Sequence, residues 1–287
     1  MVFRQRKVDV GYRLFILNLV AMNKLVTVGR IIFAVAIVSL GLEHFVAGAF
    51  PVALLRVPAG LPGRFVLAIL MGIAFVGMGL SIGFLWKARR AALGLGLLFL
   101  LLMFGFHLPA LLTNLANGST WTVVGELMAL SGGSFYLAGS LAQSSPGKSR
   151  LNWVVAGRLL VAISLFIFGV LHFVYASYIA TLIPSWIPAP VFWAYFVGVA
   201  FVGTALSLVI HKQQPLALSL LGVMFFLWVV ILHAPRVIKN PQIEPEWTSL
   251  LIALAMSGIG FLMAGFESQK LATPRTGSPT MLWGSDQ

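Results

Sequence analysis

Four histidines lie in apolar stretches of this 287-residue chain, at His44, His107, His172 and His233. An imidazole in such a setting has few uses. It ligates haem iron, copper or zinc, hydrogen-bonds a quinone, or relays protons. Their surroundings sort them into two pairs. His44 and His172 are each followed by Phe-Val, while His107 and His233 each precede a proline by two residues, Pro109 and Pro235. The fifth histidine, His211, stands beside Lys212 with no counterpart and reads as a solvated residue.

The pairing extends to most of the chain. Gly29-Arg30, Gly41 and His44-Phe45-Val46 return as Gly157-Arg158, Gly169 and His172-Phe173-Val174. Ala68, Gly72, Ala74-Phe75-Val76-Gly77 and Leu80-Ser81 return as Ala194, Gly198, Ala200-Phe201-Val202-Gly203 and Leu206-Ser207. His107, Pro109 and Asn114 match His233, Pro235 and Asn240. Trp121-Thr122, Ser131-Gly132 and Ala138-Gly139 match Trp247-Thr248, Ser257-Gly258 and Ala264-Gly265. Four blocks in one order mark a duplicated unit.

The elements that carry these residues are long and apolar. With 60% hydrophobic and 9% charged residues, the chain lacks the surface charge of a soluble protein its size. Each copy holds four apolar segments, near 28–48, 64–86, 91–113 and 121–143, then 155–178, 189–210, 214–235 and 247–267. Helices satisfy the backbone in lipid, and the alternation of a barrel strand is missing. The predicted fold is an all-α membrane protein with eight transmembrane helices, arranged as two four-helix repeats of parallel orientation. The predicted division is a basic segment with an interfacial helix over 1–24, a first repeat over 25–143, a linker over 144–152, a second repeat over 153–267 and a disordered tail over 268–287.

The net charge of +12 sits mostly in the segments before and between spans. Arg4, Arg6, Lys7, Arg13, Lys24, Lys87, Arg89, Arg90, Lys148, Arg150, Lys212, Lys270 and Arg275 fall on one side. Only Arg56, Arg64, Arg236 and Lys239 fall on the other. The positive-inside rule then puts both termini in the cytoplasm, in the inner (plasma) membrane of a bacterium, with the lipid bilayer as the main partner and no nucleic acid. The chain has no cysteine, which excludes disulfides, thiolate metal sites and iron–sulfur clusters.

Spans of ~1.5 Å rise per residue place all four histidines in one layer, roughly 24 Å from the cytoplasmic boundary. That layer is a candidate site for quinone, haem or a metal ion. The competing reading is a set of clasps, each histidine bonding a carbonyl of a neighbouring helix. Pro109 and Pro235 are expected to kink or end the third helix of each copy, with Asn114 and Asn240 near the cavity mouth. Glu126 lies inside the fourth span, where a carboxyl is either neutral or paired with His44, His107 or an arginine such as Arg56. Glu126 and Glu43 face Ile252 and Leu171 in the repeat, so acid chemistry would belong to the first copy. Arg30 and Arg158 are expected to snorkel to lipid phosphates. The uncharged Pro184–Pro190 stretch reads as a re-entrant or lid-like loop. No nucleophile–base pair, phosphate loop or dinucleotide motif is present. Transport of a small molecule and a non-catalytic scaffold are the other functions compatible with these features.

Gly29-Arg-Ile-Ile-Phe33, the glycine-rich second span, Lys87-Ala-Arg-Arg-Ala-Ala92 and the small-residue fourth span resemble the DoxX-like membrane proteins. Leu171-His-Phe173, Trp186-Ile-Pro188 and His233-Ala-Pro-Arg-Val237 resemble its histidine-bearing members. The resemblance implies membrane redox chemistry and a membrane redox partner. The family is named for a subunit linked to thiosulfate:quinone oxidoreduction, and other members are partners in oxidative-stress complexes. This chain is twice the usual four-span length, and no catalytic residue carries over.

Overall fold

A computed structural model describes the backbone of residues 2–55, 57, 60–142 and 148–272. Side chains are described from residue 20 onward, save those of residues 148–151. Arg56, residues 144–147 of the linker and the chain after Ala272 lie outside the described residues. The chain is all-helical and carries seven helices long and apolar enough to cross a bilayer. It is a multi-pass integral membrane protein.

The elements are α1 (Val2–Ala47), α2 (Arg64–Gly83), α3 (Ala88–Leu102), α4 (Leu108–Thr113), α5 (Gly118–Ser140), α6 (Lys148–Val174), α7 (Ala176–Leu182), α8 (Pro190–Ile210), α9 (Gln214–Trp228), α10 (Ala234–Lys239) and α11 (Glu244–Ala272). Some boundaries differ from the expected division. The α6 helix begins at Lys148, inside the expected 144–152 linker. Residues 2–24 run into the first span as one unbroken helix, with no separate interfacial piece. The last helix continues past residue 268 to Ala272, where Lys270 is anchored by side-chain contacts.

Helix neighbours close a ring, α1–α2–α3–α5–α6–α8–α9–α11 and back to α1, with α5 also touching α11 across the middle. The seven apolar helices include α11 but omit α5, which is as long as its neighbours and almost wholly buried. Its glycines and serines explain both facts. A helix enclosed by other helices needs small residues for close approach and no apolar face for lipid. Conversely, α2 and α8 expose Phe65, Ile73, Phe192 and Val199 over half or more of their surface, a bare apolar belt that only lipid would cover.

Two crossings have backbone against backbone. A Cβ on Gly258 of α11 would lie 2.5 Å from Phe33 N and 2.8 Å from Gly29 O of α1. A Cβ on Gly132 of α5 would lie 2.7 Å from Gly157 O of α6. The hydroxyls beside them repeat too. Ser131 Oγ donates to Gly96 O at 2.8 Å and Ser257 Oγ to Gly222 O at 2.9 Å.

The prolines of the third helices do not end them. The helix widens to π geometry over Met103–His107 and Val229–His233, then continues as α4 and α10. Leu108 N–H reaches back to Met103 O and Ala234 N–H to Val229 O. This one-residue slip accommodates a proline, which can neither donate nor tolerate the usual carbonyl one turn earlier.

Gly258→Val is expected to destabilise the detergent-solubilised protein by about 1–3 kcal/mol or more, because the obstructing atoms are backbone. Gly77→Ala, at an exposed position with no heavy atom within 4 Å of the new Cβ, should leave the thermal unfolding midpoint unchanged or raise it. Equal effects of the two would contradict the packing.

Candidate functional site

One end of the bundle gathers the histidines. His44 lies three residues before the end of α1, and the segment after it folds inward, with Phe50, Leu54, Leu55 and Val57 almost fully buried. Near it is an open-sided cavity of ≈ 350 Å³. Phe50, Val57 and Leu61 line it from the α1–α2 connection, the exposed Leu67 and Leu70 with Met71 and Ala74 from α2, and Leu98, Leu102 and Phe106 from α3 and the π segment. Every lining side chain among the described residues is apolar.

His44 is 1% exposed and stands one ring behind that cavity. Phe50, which lines the cavity, meets the His44 ring edge-on at 5.9 Å, and Phe75 meets it at 5.5 Å. His44 Nδ1 is 2.8 Å from Leu40 O, the carbonyl one turn earlier on its own helix. His44 Nε2 is buried and has no hydrogen-bond partner. A carbonyl only accepts, so in the neutral ring Nδ1 carries the proton and Nε2 presents a lone pair. His107, next to the cavity-lining Phe106, is equally buried.

His172 repeats the own-helix bond, Nδ1 to Phe168 O at 2.8 Å. Neither His44 nor His172 therefore clasps a neighbouring helix through this nitrogen. The His172 ring is stacked on Trp228 at 6.2 Å and meets Phe201 edge-on at 5.2 Å. His233 is half-buried, with Nδ1 unpartnered. His211 is exposed, as a solvated residue should be. Among the described residues no three His, Asp or Glu side chains approach closely enough to share a metal ion.

The supporting polar residues do not converge on the cavity. Asn114 is exposed and its Oδ1 accepts from Ala116 N at 3.2 Å, a local turn after α4. Asn240 likewise ends α10. Glu126 is half-buried on α5. It lies two turns before Gly133, whose Cβ position meets Ile259 of α11, and so shares the face of α5 that looks toward α11.

Several polar contacts have no advance sign in residue spacing. Thr248 Oγ1 lies 2.5 Å from Glu43 Oε1 and 2.9 Å from Glu244 Oε1, and Val52 N donates to Glu244 Oε2 at 3.1 Å. These contacts tie α1, α11 and the segment over the cavity together. The repeated Trp-Thr pair was a signal for Thr248, but its match Thr122 bonds only Gly118 O of its own helix. At the opposite end Tyr136 Oη donates to Glu267 Oε1 at 2.5 Å, and Lys270 Nζ donates to the same oxygen at 2.8 Å. Arg30 corrects an expectation. It is buried instead of snorkelling, and its guanidinium caps α2 by donating to Ile82 O at 2.8 Å and to Gly83 O. The Pro184–Pro190 stretch follows the short α7 and leaves Trp186 mostly exposed.

Comparison with protein-family models, curated proteins and solved structures finds no match for this chain.

Thr248→Val removes the hydroxyl between two carboxyls and is expected to cost about 1–3 kcal/mol of stability. Thr122→Val, at the matched position, should cost less than about 1 kcal/mol. Thermal unfolding of both variants checks the contrast.

Proposed function

We propose that this protein is a DoxX-like, redox-associated membrane protein that binds a quinone-class lipophile in its first four-helix unit. The reading takes α5 as an eighth span beside the seven apolar helices. It relates two four-helix units of one orientation by a pseudo-two-fold axis between α5 and α11, with both termini cytoplasmic in a bacterial inner membrane. Its supports are contacts that recur 126 to 128 residues apart: the Gly29–Gly258 and Gly157–Gly132 crossings, the two serine bonds and the two π segments. The left-handed turn residues Leu85 and Lys87 are likewise matched by His211 and Gln213.

The observation that carries the ligand reading is the apolar cavity of ≈ 350 Å³ beside a buried, unpartnered His44 Nε2. A lining without a charged or polar side chain suits a lipophilic ring or tail. Among the described residues the lining offers no cation for haem propionates, and no group of three acids or histidines that could hold a metal ion is found. The lone pair on Nε2 complements a hydroxyl donor, so the reduced quinol is the form held when Phe50 turns aside. The chain's own residues then orient the ring and exclude water, and His44 accepts the hydroxyl hydrogen bond. Electrons pass to or from a membrane redox partner.

A second reading, transport of a proton or small solute, draws on one observation, the half-buried carboxyl of Glu126 on the face of α5 toward α11. Flux into liposomes that is unchanged by Glu126→Gln would end it.

The test is absorption spectroscopy and solvent extraction of protein purified in mild detergent. Near-stoichiometric quinone without a Soret band is expected, and His44→Phe should lose the quinone while keeping or raising the unfolding midpoint. Protein free of quinone, or quinone retained by His44→Phe, contradicts the reading.

A further inference from the structure

Phe50 stands between His44 and the groove of α2 and α3. Its ring lines the groove on one side and meets the imidazole edge-on at 5.9 Å on the other. The segment that carries it is pinned at both ends. Gly48 turns the chain back after α1 at φ 58°, in the left-handed region that favours glycine. Leu54 and Leu55 are buried in the core, and Leu55 N–H donates to Pro51 O at 2.8 Å. Between these pins Val52 is half exposed. A second helix ties it down. Val52 N–H donates to Glu244 Oε2 at 3.1 Å, on the first residue of α11. Thr248, one turn further along α11, meets the other oxygen of that carboxyl, with Oγ1 2.9 Å from Glu244 Oε1. The same hydroxyl lies 2.5 Å from Glu43 Oε1, and Glu43 immediately precedes His44 on α1. This chain of contacts starts beside the imidazole and ends two residues from the ring that covers it.

We infer that Glu43, Thr248 and Glu244 form a strap that keeps Phe50 closed over His44, and that its release opens the imidazole to the groove. The inference rests on the ligand reading given above for what enters, and adds to it the positioning residues that govern entry. Its ground is the kind of hold at each point. Leu54 and Leu55 keep the far end in place by apolar burial. Phe50 can swing without moving a helix, because α1 ends at Ala47 and α2 begins at Arg64. Val52, at the outer bend, is held through a hydrogen bond to a carboxyl. Losing a bond of that kind shifts a local opening equilibrium by ~10-fold or more. The strap therefore sets how often His44 meets the groove, and does so from outside the groove itself.

The probe is diethyl pyrocarbonate, which adds a carbethoxy group to an unprotonated imidazole nitrogen. It is applied to the full chain after exhaustive exchange into fresh mild detergent, so that no bound lipophile shields the ring. Mass spectrometry reads the rates at His44, His172 and the exposed His211. In the intact chain His44 should react slowest. Phe50→Ala should raise its rate by about tenfold or more, and Glu244→Ala by about tenfold with Phe50 in place. Thr248→Val should raise it by a smaller factor, and His172 should keep its rate in all three. A purely structural role would lower the unfolding midpoint and leave His44 unreactive, or raise His44 and His172 in parallel. Either result for Glu244→Ala overturns the strap, and either for Thr248→Val removes Thr248 from it. An intact chain whose His44 reacts as fast as His211, or a Phe50→Ala chain with His44 still protected, overturns the closed ring. The quinone content before exchange judges the ligand reading separately. A quinone-free protein with the expected rates keeps the strap and loses that reading.

Discussion

Everything at the histidine end depends on how closely α1 approaches α11 and α6 approaches α5. At Gly29–Gly258 and Gly157–Gly132 two helices meet with no side chain between them. In lipid there is little hydrophobic drive for helices to associate, so contact area and satisfied polar groups must hold them. Backbone contact maximises the first. Ser131 and Ser257, bonding the carbonyls of Gly96 and Gly222, supply the second one residue before each of the α5 and α11 crossing glycines. With α5 and α11 fixed in this way, α2–α3 and α8–α9 are left at the periphery, where their outer faces meet lipid.

That peripheral placement makes the cavity possible. The cavity lies between α2 and α3, away from the tight central crossings, with Phe50 between it and His44. The segment over it is held at Val52 by Glu244, itself joined through Thr248 to Glu43. Glu43 and Glu244 have no carboxyl counterparts in the other copy, where Leu171 and Gly118 stand.

The sequence made the helical membrane class legible, because apolar length survives without tertiary information. Other features depended on partners from distant segments. Arg30 reads as a lipid anchor until the end of α2, more than fifty residues away, meets it as a carbonyl pair. Pro109 reads as a helix end until the π segment before it absorbs the missing donor. The α5 helix falls below the apolarity of its neighbours because it is enclosed, a property of the assembled bundle.

The most direct measurement is electron cryo-microscopy of the native protein in lipid nanodiscs. This account predicts flat ligand density between α2, α3 and Phe50. An acyl chain or collapsed side chains there would contradict it.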